Sequence, residues 1–199
     1  MPRVLIVTAH PDPHSFTLAL AQRMEAAAQA GGADVYLRDL YREEFDPCLT
    51  AAEARGLPTD DPRVRDHIKA LLAADALIIV HPNWWGAPPA IMKGWMDRVF
   101  ALGSAYDFEK NFDEGGPPVP LLRTRTALIV NTSNTAEDRE QRFFGDPLER
   151  MWRDCLLSYC GVQQVQRWVL RIIANSTPEQ RALWLTEAEI RVRELVRRL

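Results

Sequence analysis

The sequence is poor in cysteine, and its three thiols, Cys48, Cys155 and Cys160, fall at no metal-ligand spacing. An odd count without an export signal argues against a disulfide framework. Cys155 and Cys160 share a helical stretch and suit burial as inert thiols. Long apolar runs are missing as well: no window approaches ~18 uninterrupted apolar residues, so no spanning helix and no membrane insertion are expected. Basic excess is absent too. Lys and Arg number 24 against 27 Asp and Glu, a formal net charge of -3, which gives no reason to expect nucleic acid or an anionic membrane surface as partner. The opening MPRVLIVTAH lacks a small-residue cleavage site and reads as the first strand of a mature cytoplasmic protein. Internal repeats, linkers and low-complexity tracts are lacking, as are GxGxxG and GxxxxGK(S/T), which removes two familiar phosphate cradles.

What is present is a full complement of core residues, 47% hydrophobic over 199 positions, enough for a single domain across 1–199. Strand and helix signals alternate throughout. RVLIVTA (3–9), DVYLRDL (34–40), ALIIVHP (76–82), TRTALIVNTSNT (124–135) and VQQVQRWVLRII (162–173) read as strands, rich in β-branched residues and apolar on both faces. Between them lie helices: one capped by Ser15 and stopped by a Gly pair, one over about 63–74, one over 89–101, and one over 145–161 ending at Gly161. A last amphipathic helix has Thr177 as cap and Pro178 at its first position. Residues 104–122 are too rich in Gly and Pro to be regular and are expected as a long surface excursion. The pattern predicts an α/β fold, a parallel sheet with helices on both faces joined by right-handed crossovers.

In such a sheet a ligand sits outside the carboxyl ends of the strands, which selects three loops. The first, AHPDPHSFT, runs into a helix N-terminus, where free N–H groups and the positive end of the dipole attract an anion; His10, Ser15 and Thr17 add donors. Its AHPD run is similar to the opening of zinc-dependent de-N-acetylases, but Pro13 replaces the second Asp and no paired His motif follows, so no metal is expected. The second loop, HPNWWGAPP, sets Trp84 and Trp85 side by side where the chain turns, with Gly86 to allow a close backbone approach to a planar heterocycle. The third, NTSNTAEDRE, offers amides and hydroxyls to the polar edge of a ring. An anion site, an aromatic wall and a polar edge together are what a flavin nucleotide requires.

At this point the sequence resembles the NAD(P)H:quinone oxidoreductases of DT-diaphorase type. The resemblance is carried by AHPDPHSFTLALA and by HPNWWGAPPAIMKGWMDRVFALGSAYDF, where Pro82, Trp85, Pro89, Ala90, Ile91, Lys93, Gly94, Trp95, Arg98, Val99 and Phe100 keep the family's pattern. It spans essentially the whole chain and implies a flavodoxin-like three-layer sandwich with a five-stranded parallel sheet in the order 2-1-3-4-5. It further implies an enzyme that moves hydride from NADPH or NADH, by way of bound FAD or alternatively FMN, to quinones or related acceptors in a ping-pong cycle, with no side chain acting as nucleophile. His10, Ser15, Phe16 and Thr17 would hold the flavin phosphate or pyrophosphate. Pro82, Asn83, Trp84, Trp85 and Gly86 would line the ring, the amides of Trp85 and Gly86 facing its N5/O4 edge. Asn131, Thr132, Ser133 and Asn134 would take the opposite edge. Tyr106 and Phe108, with Trp85, would bind substrate, the first two from the neighbouring subunit of a homodimer.

The third loop departs from the family. Two glycines, a Tyr and a His are expected there, and this chain has none of them: Phe144 falls at the His position, and loop amides or Arg139 would have to serve instead. Two other functions compete: a flavodoxin-type electron carrier, whose acidic face and Thr/Ser-rich phosphate loop are missing, and a regulatory subunit of a potassium-efflux system, for which no feature speaks.

Overall fold

A computed structural model describes residues 1–108 and 118–199; the middle of the 104–122 excursion lies outside them. β1 (Arg3–Thr8), β2 (Asp34–Asp39), β3 (Ala76–Pro82), β6 (Thr126–Ser133) and β7 (Gln164–Arg171) form one parallel sheet in the order β2-β1-β3-β6-β7. This is the expected order, once two strands of two residues each, β4 (Tyr106–Asp107) and β5 (Val119–Pro120), are counted. They pair antiparallel within the stretch expected to be irregular. β3 is buried along its whole length, the apolar run that a central strand covered on both faces demands.

Alternation along the strands divides the core. Leu5, Val7, Leu77, Ile79, Ala127 and Ile129 face Met92, Trp95 and Val99 of α3 (Ala90–Val99). Val4, Ile6, Ile78, Val80, Leu128 and Val130 face Leu20 and Met24 of α1 (Phe16–Ala30) and Val192 of the C-terminal helix. Each Val, Leu, Ile or Met side chain among them contributes about 1.5–3 kcal/mol by leaving water. α1 starts where Ser15 accepts from the Leu18 N–H. α2 (Pro62–Ala73) starts on Asp61, and α6 (Pro178–Arg197) on Thr177 with Pro178 in its first turn.

Two helical expectations need correction. α4 (Glu137–Phe143) occupies what reads as loop, because a run of Glu, Asp, Arg and Gln has helix propensity but no apolar stripe to betray it. The helix expected over 145–161 is not a regular α-helix. α5 begins as Pro147–Glu149 under an Asp146 cap and widens into a π-helix, Arg150–Leu157.

The segment between β2 and α2 is fixed to α3 from beneath. Arg98, buried, donates to Glu53 at 3.0 Å and to the Asp46 carbonyl at 2.7 Å. Burial pushes the Glu53 carboxyl up, yet the bonds from Arg98, Thr59 and Thr50 outweigh it and hold the group down at about 2. Gly94 lets the segment close: a Cβ there would lie 2.2 Å from the Pro47 carbonyl oxygen.

Candidate functional site

The carboxyl ends of β1, β3 and β6 open onto a cavity of about 420 Å³. At one end stands the N-terminus of α1. Asp12 shapes the approach: its carboxylate accepts from the His14 N–H at 2.8 Å, and its own N–H donates to His10 Nδ1 at 3.1 Å. That last bond makes Nδ1 the acceptor and leaves the His10 proton on Nε2. The N–H groups of Phe16 and Thr17 have no partner among the described residues, so two donors at the positive end of the helix stay open. Arg181, from α6, adds a cation. It lies 5.7 Å over the Phe16 ring, donates to Ser176 Oγ and the Ile173 carbonyl, and has no carboxylate partner among the described residues.

The opposite wall is the turn after β3. Trp84 and Ala87 exchange both backbone hydrogen bonds at 3.0 Å, with Trp85 at φ +57° and Gly86 at φ +73° between them. That is a two-residue type I′ turn. Position one of such a turn suits Gly or Asn; a bulky Trp held there is strained, and it stands fully exposed. Asn83 pins the turn from below. Its Oδ1 accepts the Gly86 N–H at 3.0 Å, its Nδ2 donates to Glu140 at 2.9 Å, and its N–H continues the ladder to the Thr132 carbonyl at 2.7 Å. Glu140, almost fully buried, also receives Arg171 at 2.5 Å.

His10, Ser15, Phe16, Thr17, Pro82, Asn83, Trp84, Thr132, Ser133 and Asn134 line one cavity. The remaining residues are placed otherwise. Trp85 and Gly86, at the tip of the turn beside Trp84, do not line the cavity; the Gly86 N–H is already taken by Asn83, and the Trp85 N–H alone stays open. Asn131 points into the interior, donating to His81 Nε2 at 3.0 Å and accepting from Arg167 at 2.7 Å. Tyr106 packs on Tyr159 and Phe108, ring centroids 5.1 and 5.6 Å apart, and borders a separate cavity with Phe100, Leu57 and Ile68. Burial, then Tyr159 and Cys160, raise the Tyr106 hydroxyl above its ordinary pKa. No group of three or more His, Cys, Asp or Glu that could hold a metal occurs among the described residues.

Sequence reasoning missed Arg181, Glu140 and Ile173. Arg181 stands among ordinary surface charges in α6, and only the crossing of α6 over α1 brings it to the cavity. Glu140 looked like one of several solvated acids. Ile173 follows Ile172, held at φ +60°, and the turn is tied to the third loop by Asn134 Oδ1, which accepts the Ala174 N–H at 2.8 Å.

An open parallel sheet with a helix N-terminus whose first N–H groups lack protein partners, and an aromatic turn at the same carboxyl edge, is the architecture of the nucleotide-binding α/β class, and the donor set fits a flavin: N–H groups and Arg181 for phosphate, Trp84 and the short polar residues for a ring. The chain belongs to the flavodoxin-like fold family (Flavodoxin_2), whose pattern matches residues 2–195. An uncharacterized NAD(P)H oxidoreductase of Haemophilus influenzae is 35% identical over 169 residues, 81% of this chain and 80% of that protein. NAD(P)H dehydrogenase (quinone) 1 of Rattus norvegicus is 28% identical over 201 residues, 90% of this chain and 72% of the rat protein. Among solved structures, an NAD(P)H:quinone oxidoreductase from Methanothermobacter marburgensis superposes with a TM-score of 0.83 at 24% identity, covering 98% of this chain and 96% of its own.

Proposed function

We propose that this chain is a flavin-dependent NAD(P)H:quinone oxidoreductase. The observation that carries the reading is the cavity with two unpartnered N–H groups at the start of α1 and an indole wall opposite. A bound flavin supplies the hydride acceptor and donor that nicotinamide and quinone use in alternation. The protein's part is position and polarity. Phe16 and Thr17 N–H groups with Ser15 and Arg181 would hold the phosphate end. The Trp85 N–H, left open where that of Gly86 is engaged by Asn83, would serve the ring's polar edge. Thr132, Ser133 and Asn134 would face the opposite edge of the ring.

We favour FAD over FMN. The cavity is lined by Ile173 and Arg181 as well as by the start of α1, and the Arg181 cation beside the helix N–H groups suits a pyrophosphate better than a single phosphate. Tyr106 and Phe108 lie outside this cavity, and we assign them to the cleft of a second copy in a cytoplasmic homodimer, which light scattering tests directly. The decisive experiment is chemical. Denaturing the purified protein should release FAD, identified by chromatography, and the holoprotein should oxidise NADPH or NADH with menadione. A colourless protein that oxidises neither overturns the proposal.

A further inference from the structure

α4 stands where the resemblance leads one to expect two glycines, a Tyr and a His, and it turns one residue inward. Glu140 is 1% exposed, and its two oxygens serve different walls of the site. One accepts from Asn83 Nδ2 at 2.9 Å, the other from Arg171 at 2.5 Å. Arg171 in turn donates to the Thr135 carbonyl at 3.2 Å. Asn83, at the root of the turn after β3, and Thr135, in the third loop, both line the cavity. A single carboxylate thus ties the two loops together.

The same carboxylate dictates which way the Asn83 amide faces. A carboxylate paired with a guanidinium only accepts, so the amide turns its NH2 toward Glu140. Its oxygen is left facing the Gly86 N–H, which it accepts at 3.0 Å. The reverse orientation would set oxygen against oxygen and N–H against N–H. Trp84 and Ala87 bond each other's backbone, so with Gly86 engaged the Trp85 N–H is the turn's one open donor among the described residues.

We propose that Glu140 is a positioning residue for the bound ring: acting through Asn83, it decides that the turn offers the Trp85 N–H and keeps back that of Gly86. The inference rests on the oxidoreductase reading above and deepens it. Gln at this position keeps the shape but has one oxygen for two donors. With that oxygen on Arg171, its NH2 faces Asn83, the Asn83 amide turns over, and the Gly86 N–H loses its acceptor. The turn then carries two open N–H groups instead of one, and it is braced less firmly.

The test reads the amide first and the reaction second. In Glu140→Gln, hydrogen exchange followed by NMR on the purified protein should show the Gly86 amide exchanging about tenfold faster relative to Ile78 and Ile79 of β3, the scale of one hydrogen bond. Taking the ratio to the core strand removes any general loss of stability. Single-turnover reduction of the bound flavin by NADPH or NADH should slow about tenfold, because the Trp85 N–H is held less well. The dissociation constant for flavin should change less than threefold, since the N–H groups of Phe16 and Thr17 do not depend on Glu140. Glu140→Asp, which still only accepts, should lie closer to the wild type in both rates. A relative Gly86 rate or a reduction rate moved less than twofold in Glu140→Gln overturns the inference while leaving the oxidoreductase intact. Should that variant not fold, the wild type decides: the Asn83 Nδ2 protons should exchange at least about tenfold more slowly than those of exposed Asn175, and equal rates overturn the inference. A wild type that binds no flavin overturns both readings.

Discussion

Trp152 donates its indole N–H to His81 Nε2 across 2.9 Å, deep beneath the site. Indole nitrogen only donates, so Nε2 must be bare and the proton must sit on Nδ1, which reaches the Pro82 carbonyl at 2.8 Å. Asn131 donates to the same Nε2. A second proton would confront two donors at a fully buried ring.

The consequence is a pH dependence of stability. Burial first of all, with Arg167 assisting and the Pro82 carbonyl opposing, lowers the His81 pKa from 6.5 to about 4. A depressed folded-state value means that the unfolded chain takes the proton first. The contribution is whole above pH 6.5 and drains away as pH falls toward 4, about 2 kcal/mol of it between pH 7.5 and 5. Urea midpoints across that range should fall accordingly. Constant midpoints would contradict a neutral buried imidazole.

Gly94→Ala should destabilise the protein by about 3 kcal/mol or more. Helix propensity alone would favour Ala by about 1 kcal/mol, so the sign of the change isolates the contact with Pro47. Equilibrium unfolding in urea decides it, and a stabilised variant would show that the segment does not lie on α3.

Trp85→Gly separates strain from function. The side chain buries nothing, and Gly tolerates φ +57°, so stability should stay within about 1 kcal/mol of the wild type or improve. Flavin retention or hydride transfer should nonetheless drop at least several-fold. Measured together, calorimetry and the flavin-to-protein ratio test both halves.

Glu140→Ala removes the acceptor for Asn83 and Arg171 at once, leaving an unpaired, largely buried guanidinium. The melting temperature should fall by roughly 5 °C or more. The turn that carries Trp85 loses its tie to α4 in the same step, so Trp fluorescence should change before the main transition. A melting curve identical to that of the wild type would show the ion pair to be ornamental.

The five main strands, α1 to α3 and the C-terminal helix were legible from local signals: β-branched runs for RVLIV and LIIV, apolar residues at helical spacing, Ser15 and Thr177 as caps, and Pro178 at the first position of the last helix. The site loops were legible by position, since a parallel sheet puts its carboxyl ends together. What escaped depended on tertiary partners. Asn131 and Asn134 look alike in NTSN, yet one belongs to a buried network through His81 and Arg167 and the other ties down Ala174. Nothing in the order of letters separates them. The wide turns of Arg150–Leu157 have no sequence signature either, and α4 had charge where periodicity looks for apolar residues.

Thr17 and Thr132 share one buried hydroxyl contact of 2.8 Å between the start of α1 and the end of β6. Displacing one loop breaks this contact unless its neighbour follows. The cradle behaves as a hinge-free jaw, and occupancy at either end should be felt at the other without any long-range rearrangement of the scaffold.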